Sequence, residues 1–260
     1  MSRHYWNDLR FRLWGKLWLV VAGAVIGGIA GAIWLFFIPP QYQARASLIA
    51  DSRTVDQQEQ RMRSRDVLLR TVEAMSPDRI EYSWPQGLRG NRDLYGINPF
   101  RVELQSFPTH LQNQEIEVVL RSLEAYTLTL KDAEGGRLEF EGTCGTPLEY
   151  GAISLVLDTT KWYKASWLGE SLSFQVNSEA QALAQYQGRM QINRLFERPN
   201  VLELYFTHPN ERRTLDFVKH FIAVSMQDFE DRRNRSVKEL LADVDGQIDE
   251  MMQRIRSNQA

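Results

Sequence analysis

Apolar and polar positions change rhythm several times along this chain. Leu17 to Ile38 is an unbroken apolar run, LWLVVAGAVIGGIAGAIWLFFI. Pro39 and Pro40 then end any helix, because proline lacks the amide hydrogen and disfavours helical geometry in the residue before it. From Tyr42 the period is two: Tyr42, Ala44, Ala46, Leu48 and Ala50 share one face and Gln43, Arg45 and Ser47 the other. That pattern predicts a strand with one buried side. Residues 55–75 turn helical, with Met62, Val67, Leu68, Leu69, Val72, Ala74 and Met75 forming a stripe that is strongest from Ser64 and stops at Pro77. Residues 78–99 are rich in proline and glycine and predict a loop. Alternation returns in FRVELQSF (100–107), QEIEVVL (114–120) and AYTLTL (125–130). KDAEGGR (131–137) predicts a hairpin turn in which Gly135 and Gly136 supply positive φ, and RLEFEG, AISLVLD and SLSFQV carry the β pattern on to Val176.

Ser178 and Gln181 have capping-box spacing and open a short helix that runs to about Gly188. Strands are predicted around MQINRLF (190–196) and VLELYF (201–206). From about Asn210 onward the pattern is one long helix. Its first stripe is Leu215, Val218, Ile222, Met226 and Phe229; after a charged patch, Val237, Leu241, Val244, Ile248, Met251 and Ile255 step as a heptad seam. Such a seam asks for a partner helix.

The run at 17–38 is 22 residues without a charge. About 20 are needed to cross a bilayer core, and a signal peptide carries only about 7–15. A transmembrane helix is therefore predicted. Arg3, Arg10, Arg12 and Lys16 precede it and place the N-terminus in the cytoplasm, with the bulk of the chain periplasmic, single-pass in a cell inner membrane. Gly23, Gly27 and Gly31 fall on one face and suit close helix–helix association.

Composition adds exclusions. A net charge of −2 over 260 residues argues against a nucleic-acid partner. Cys144 is the single cysteine, so no intramolecular disulfide forms, and it is expected as a small buried apolar residue. His4, His110, His208 and His220 lie far apart without ligand spacing, so no metal is assigned. Glu139, Glu141 and Glu149 resemble glycosidase acids only superficially, since the alternation around them puts Glu139 and Glu141 on a solvent face. No catalytic residue and no cofactor is assigned. Trp162, Tyr163 and Trp167, flanked by Lys161 and Lys164, are the candidate glycan contact, weighed against ordinary core aromatics. Arg232, Arg233 and Arg235 could meet an anionic polysaccharide or a neighbouring protomer, or form a solvated face balanced by Glu230, Asp231 and Glu239.

The order of these elements resembles the chain-length determinant (Wzz), or polysaccharide co-polymerase, family. Pro39, Tyr42, Ala44 and Ala46 carry the likeness, with a second block in RLFERPNVLELYFTHPNERRTLDFVKHFI (194–222). LYGINPFRVEL (94–104) and the β-rich middle look closest to the periplasmic part of the exopolysaccharide-transport tyrosine-kinase branch. The resemblance implies a homo-oligomeric scaffold that regulates the length or export of a surface polysaccharide (O-antigen, capsule or exopolysaccharide). Its implied partners are a polymerase in the same membrane, an outer-membrane polysaccharide export protein and the polysaccharide itself. Two departures stand out. The outgoing helix is not followed by the family's second span, so the chain is expected to be truncated before it. The G-x-x-x-x-G-K-[ST] motif and tyrosine-rich tail of the kinase branch are also missing, so no kinase activity is expected of these residues.

The expected fold class is α+β: one N-terminal transmembrane helix, a membrane-proximal mixed α/β domain with a β-rich insertion, and a long C-terminal helix with coiled-coil pattern. The expected boundaries are a cytoplasmic tail at 1–16, the span at 17–38, a periplasmic α/β domain at 39–209 with its insertion at about 95–176, and the long helix at 210–260. The alternative function is a periplasmic adaptor subunit, of membrane-fusion type, in an export system.

Overall fold

A computed structural model describes residues 16, 18–19, 21–32, 40–50, 54–87, 90–131 and 136–258. Two compact units divide the chain, Met1–Pro40 with Pro85–Asn91 and Gln41–Trp84 with Arg92–Ala260. In the first, residues 21–32 are helical. They correct the expected transmembrane span. Among the described residues no helix is long and apolar enough to cross a membrane. Within 21–32, Gly23, Gly27, Gly28 and Gly31 add no apolar side chain. The predicted single-pass placement in an inner membrane, N-terminus cytoplasmic and bulk periplasmic, falls with the span. Residues 17, 20 and 33–38 of the predicted span, and 1–15 of the predicted tail, lie outside the described residues.

The second unit is α+β and is built on two cores. The first core lies under a three-stranded antiparallel sheet ordered β1 (Tyr42–Ile49), β12 (Arg198–His208), β11 (Met190–Leu195). Alternation sets its register: Ala44 faces Phe206 and Leu48 faces Leu202 across the β1–β12 ladder. The inner face is covered by α1 (Val55–Met62), α2 (Arg65–Met75), α3 (Glu179–Gln187) and the start of α4 (Glu211–Asn258). The outer face is polar, and there Tyr205 and Arg45 hydrogen-bond the Glu203 carboxylate and hold it below the usual carboxylate range.

The predicted helix over 55–75 is two helices. Ser64 is the reason: its extended backbone interrupts the first, and its Oγ accepts the Val67 amide at 3.4 Å to start the second. Ser178 caps α3 in the same way, accepting from Gln181 N at 3.3 Å, as the sequence predicts.

The second core draws on residues between Ile80 and Val176, so in sequence it sits between α2 and α3. A six-stranded sheet runs β3 (Asn91–Asp93), β2 (Ile80–Pro85), β10 (Ser171–Val176), β5 (Glu115–Leu120), β6 (Ala125–Lys131), β7 (Arg137–Thr143). A three-stranded sheet runs β4 (Phe100–Ser106), β9 (Ile153–Thr159), β8 (Pro147–Tyr150). Both sheets contribute to the same core, through Phe100, Val102, Leu155 and Leu157 from one and Ile116, Val118, Leu128 and Phe174 from the other. The predicted loop over 78–99 thus contains two strands. β2 is made by its distant partner β10, with Ile80 opposite Val176 and Tyr82 opposite Phe174, which local turn signals do not reveal. The β6–β7 hairpin forms as predicted, Lys131 opposite Arg137; Gly136 of its turn does not take the predicted positive φ, and Gly135 lies outside the described residues. Glu139 and Glu141 are exposed on β7, as the alternation indicates.

Gly142 on β7 sits opposite Tyr126 on β6. The tyrosine ring lies over the glycine, and a Cβ added there would fall 2.4 Å from Tyr126 Cζ. Tyr126 is fully buried, so its ring has nowhere to retreat. Gly142→Ala is expected to destabilise the unit by about 1–3 kcal/mol through overpacking. Chemical denaturation checks this, and a variant as stable as the parent would mean that the ring is not locked.

Candidate functional site

The long helix α4 leaves the second unit from a cluster of charges buried between the two cores. Asn210 caps it: its Oδ1 accepts the Arg213 amide at 3.1 Å. The Asn210 amide nitrogen donates to its acceptor, His208 Nδ1, at 3.0 Å. Its side-chain nitrogen donates to the carbonyls of Asp93 and Tyr95, both at 3.3 Å. One capping residue therefore ties the helix to the segment that follows β3.

Arg213 is the centre of the cluster, its side chain only 5% exposed. Nη1 donates to Glu81 Oε1 at 2.6 Å, and Nη2 to Asp93 Oδ1 at 3.2 Å. Nε lies 3.0 Å from Asp93 Oδ2 but off the angle a hydrogen bond needs, so that contact is electrostatic. The guanidinium also lies over the Tyr95 ring, 4.9 Å from its centre. Tyr95 in turn donates its hydroxyl to Asp216 Oδ2 at 3.1 Å. Burial opposes the charge on Arg213, but Tyr186, Asp93 and Glu81 outweigh it and the guanidinium stays protonated. Burial pushes the Asp93 carboxyl up against the pull of Arg213. Burial, then Arg213 and Arg189, push the His208 imidazole down to about 3, so it is neutral and free to accept from Asn210.

A second cluster lies where the helix emerges. Asp228, its side chain 3% exposed, accepts Arg61 Nε at 2.8 Å and Arg61 Nη2 at 3.1 Å. Arg232 Nε donates to it at 3.2 Å and Arg70 Nη1 lies at 3.5 Å. Hydrogen bonding from Arg61 is the main cause holding Asp228 below the usual carboxylate range. Arg61 also donates to Asp66 at 2.8 Å.

Sequence reasoning missed both clusters. A signal was present, since Arg213 and Asp228 occupy the same helical stripe as Phe217, Phe221 and Val224. Of the predicted stripe, Val218 is buried and Ile222 and Phe229 pack against the first core, but Leu215 and Met226 are exposed, and Phe217, Phe221 and Val224, which the pattern did not single out, are buried. From Glu230 onward every side chain of α4 that is described is exposed, including Val237, Leu241, Val244 and Met251 of the predicted seam. The side chains of Ile248 and Ile255 lie outside the described residues. Gly23, Gly27 and Gly31 lie in the helical stretch 21–32, where a Cβ added at each would meet nothing within 4 Å.

The candidate glycan aromatics are separated by role. Trp162 lies between cations, with Arg212 5.1 Å and Lys161 5.5 Å from its ring centre. Tyr163 and Trp167 pack against the second core, and Trp167 meets Trp84 edge to face at 5.0 Å. Cys144 is half-buried against the same core, and burial pushes its thiol up. Among the described residues no group of histidine, cysteine and carboxylate side chains could hold a metal ion.

A family model, the chain length determinant protein (Wzz), matches residues 7–75. That segment is similar to the Wzz domain. It contains β1, α1 and α2, and so supplies one edge of the first sheet and two of the helices packed on it. It covers just over a quarter of the 260 residues, and the finer assignment to a kinase-associated branch has no support from it. Arg61, Asp66 and Arg70 of the second cluster lie inside the Wzz segment, while Asp228 and Arg232 lie on α4. No curated protein matches the chain.

Two predictions follow the charges. Arg213→Met strands Glu81 and Asp93 in the interior without a cation, and is expected to cost about 3–5 kcal/mol, whereas Asp93→Asn should cost about 1–2 kcal/mol. Urea unfolding of both variants gives the order, and a reversed order would remove Arg213 from the centre of the cluster. The second concerns pH. His208 is neutral when folded but takes a proton when unfolded below about pH 6.5, so stability present at neutral pH is lost as the pH falls towards 3. The slope from this residue approaches about 1.4 kcal/mol per pH unit well below pH 6.5. Asp93, with its raised carboxyl, works in the opposite direction, so the comparison is between the parent and His208→Gln from pH 7 to 5. The variant should lose less stability over that range, and equal losses would mean that His208 is solvated.

Proposed function

We propose that this chain is a non-catalytic regulator of polysaccharide chain length that works as a homo-oligomeric scaffold beside a polysaccharide polymerase. The single observation that carries the reading is the Wzz domain at residues 7–75. The family regulates chain length without catalysis, and it acts in polysaccharide synthesis and export. The architecture gives that role a physical form. The first core fixes the base of α4, and the helix then extends beyond it with Val237, Leu240, Leu241, Val244 and Met251 exposed. At 1.5 Å per residue, the stretch from Glu230 to Asn258 is about 43 Å long. An isolated helix carrying a heptad seam gains little by keeping it in water; paired with the same seam on neighbouring copies it forms a coiled coil. In this reading the copies hold the polymerase and its growing glycan together, and the time spent in the assembly sets the length. Open glycine positions at 23, 27 and 31 offer a further face for helix association.

Deleting the gene and resolving the polysaccharide by gel should shift its modal length, and plasmid expression of the chain should restore it. Leu241→Lys with Val244→Lys should lower the oligomer size in sedimentation and fail to restore the length. A deletion strain with unaltered glycan lengths would end this reading.

A further inference from the structure

The arginines that interrupt the long helix's apolar pattern have company the sequence does not show. Arg232 meets Arg61 of α1 and Arg70 of α2 around the carboxylate of Asp228. Asp228 is the only carboxylate within ion-pair distance of Arg70 or Arg232 among the described residues, and Asp66 reaches Arg61 alone. Within ion-pair distance, three guanidinium groups thus share two carboxylates, one fewer than the positive charges they carry. The buried carboxylate fixes the arginines in place. Arg61 spends Nε and Nη2 on Asp228 and Asp66. Arg232 commits only Nε, and Arg70 touches Asp228 at a distance too long for a strong hydrogen bond. Their side chains are 51% and 34% exposed, so their remaining N–H groups are open to water.

Anchored guanidinium groups with free N–H edges are the donors that take a planar oxyanion in bidentate fashion. We infer that Arg70 and Arg232, positioned by Arg61 and Asp228, bind the carboxylate of an acidic sugar in the polysaccharide. The commitment to a carboxylate rests on charge: a monoanion closes the local balance, whereas a phosphate dianion overshoots it. The inference rests on the polysaccharide role proposed above, and it locates the glycan at the emergence of α4, between the Wzz segment and the helix.

The test is calorimetry on the purified full chain at low salt, with a hexamer of galacturonate as the probe and maltohexaose as its neutral counterpart. Hexagalacturonate should bind at least about tenfold more tightly than maltohexaose, and Arg70→Gln with Arg232→Gln should weaken it by about tenfold or more, the scale of a lost charge-assisted hydrogen bond. Arg232→Gln alone, at a half-exposed position, keeps the test open should the double variant unfold, and is expected to weaken binding severalfold. Equal affinity for the neutral hexamer, no effect of the variants, or displacement of hexagalacturonate by equimolar inorganic phosphate would each overturn the assignment. The deletion strain decides the functional role separately: unaltered glycan lengths there sink the role, while a calorimetric failure with altered lengths sinks only the site.

Discussion

Arg213 is the constraint on which the second unit turns. It lies in the first turn of α4, between the two cores, and its guanidinium draws one carboxylate from β2 and one from β3. An arginine in that position cannot leave without taking the cation from two half-buried carboxylates, Glu81 and Asp93. The pairing therefore fixes the inserted β body against the helix that the first core carries. Apolar packing alone would be less particular, because the stack of Tyr186, Phe206, Phe217 and Phe221 tolerates small slides that a forked guanidinium does not. The same geometry explains the neutral His208. Burial disfavours a protonated imidazole first, and Arg213 and Arg189 add repulsion, so the ring acts as an acceptor and completes the cap of α4.

The sequence told a good deal wherever one local pattern dominated. The strand after Pro40 and the cap of α3 could be read directly, because each rests on residues that are neighbours in the chain. So could the alternation that puts Leu128 and Leu130 inside and Glu139 and Glu141 outside. β2 could not, since Ile80, Tyr82 and Trp84 become a strand only by pairing with residues some ninety positions later. The stripe of α4 was only partly read, for a related reason. Leu215 and Met226 look like core and are exposed, while Arg213 and Asp228 look like surface and are buried. Hydropathy ranks side chains by their cost in isolation, and a charge with its partners already in place does not carry that cost. The long apolar run at the N-terminus misled in the other direction: its composition pointed to a membrane span, while among the described residues no helix is long and apolar enough to make one.

The two missed clusters share a logic that bears on the helix as a lever. Arg213 and Asp228 are 15 residues apart, about 22 Å along the axis, and they bracket the buried part of α4. Before Arg213 the helix is capped onto the chain at the end of β3; Phe229 is the last α4 side chain packed on the first core, and from Glu230 onward the described side chains are exposed. In the proposed scaffold, a rod that presents its seam to identical copies needs its direction set at the root, because a small angular error at the base grows along some 43 Å of helix. Two anchors separated along the axis fix direction in a way that one cannot. That the outer anchor joins the Wzz segment to the helix through arginines still carrying free N–H groups makes it both the root of the lever and the place where an anionic chain would be felt by it.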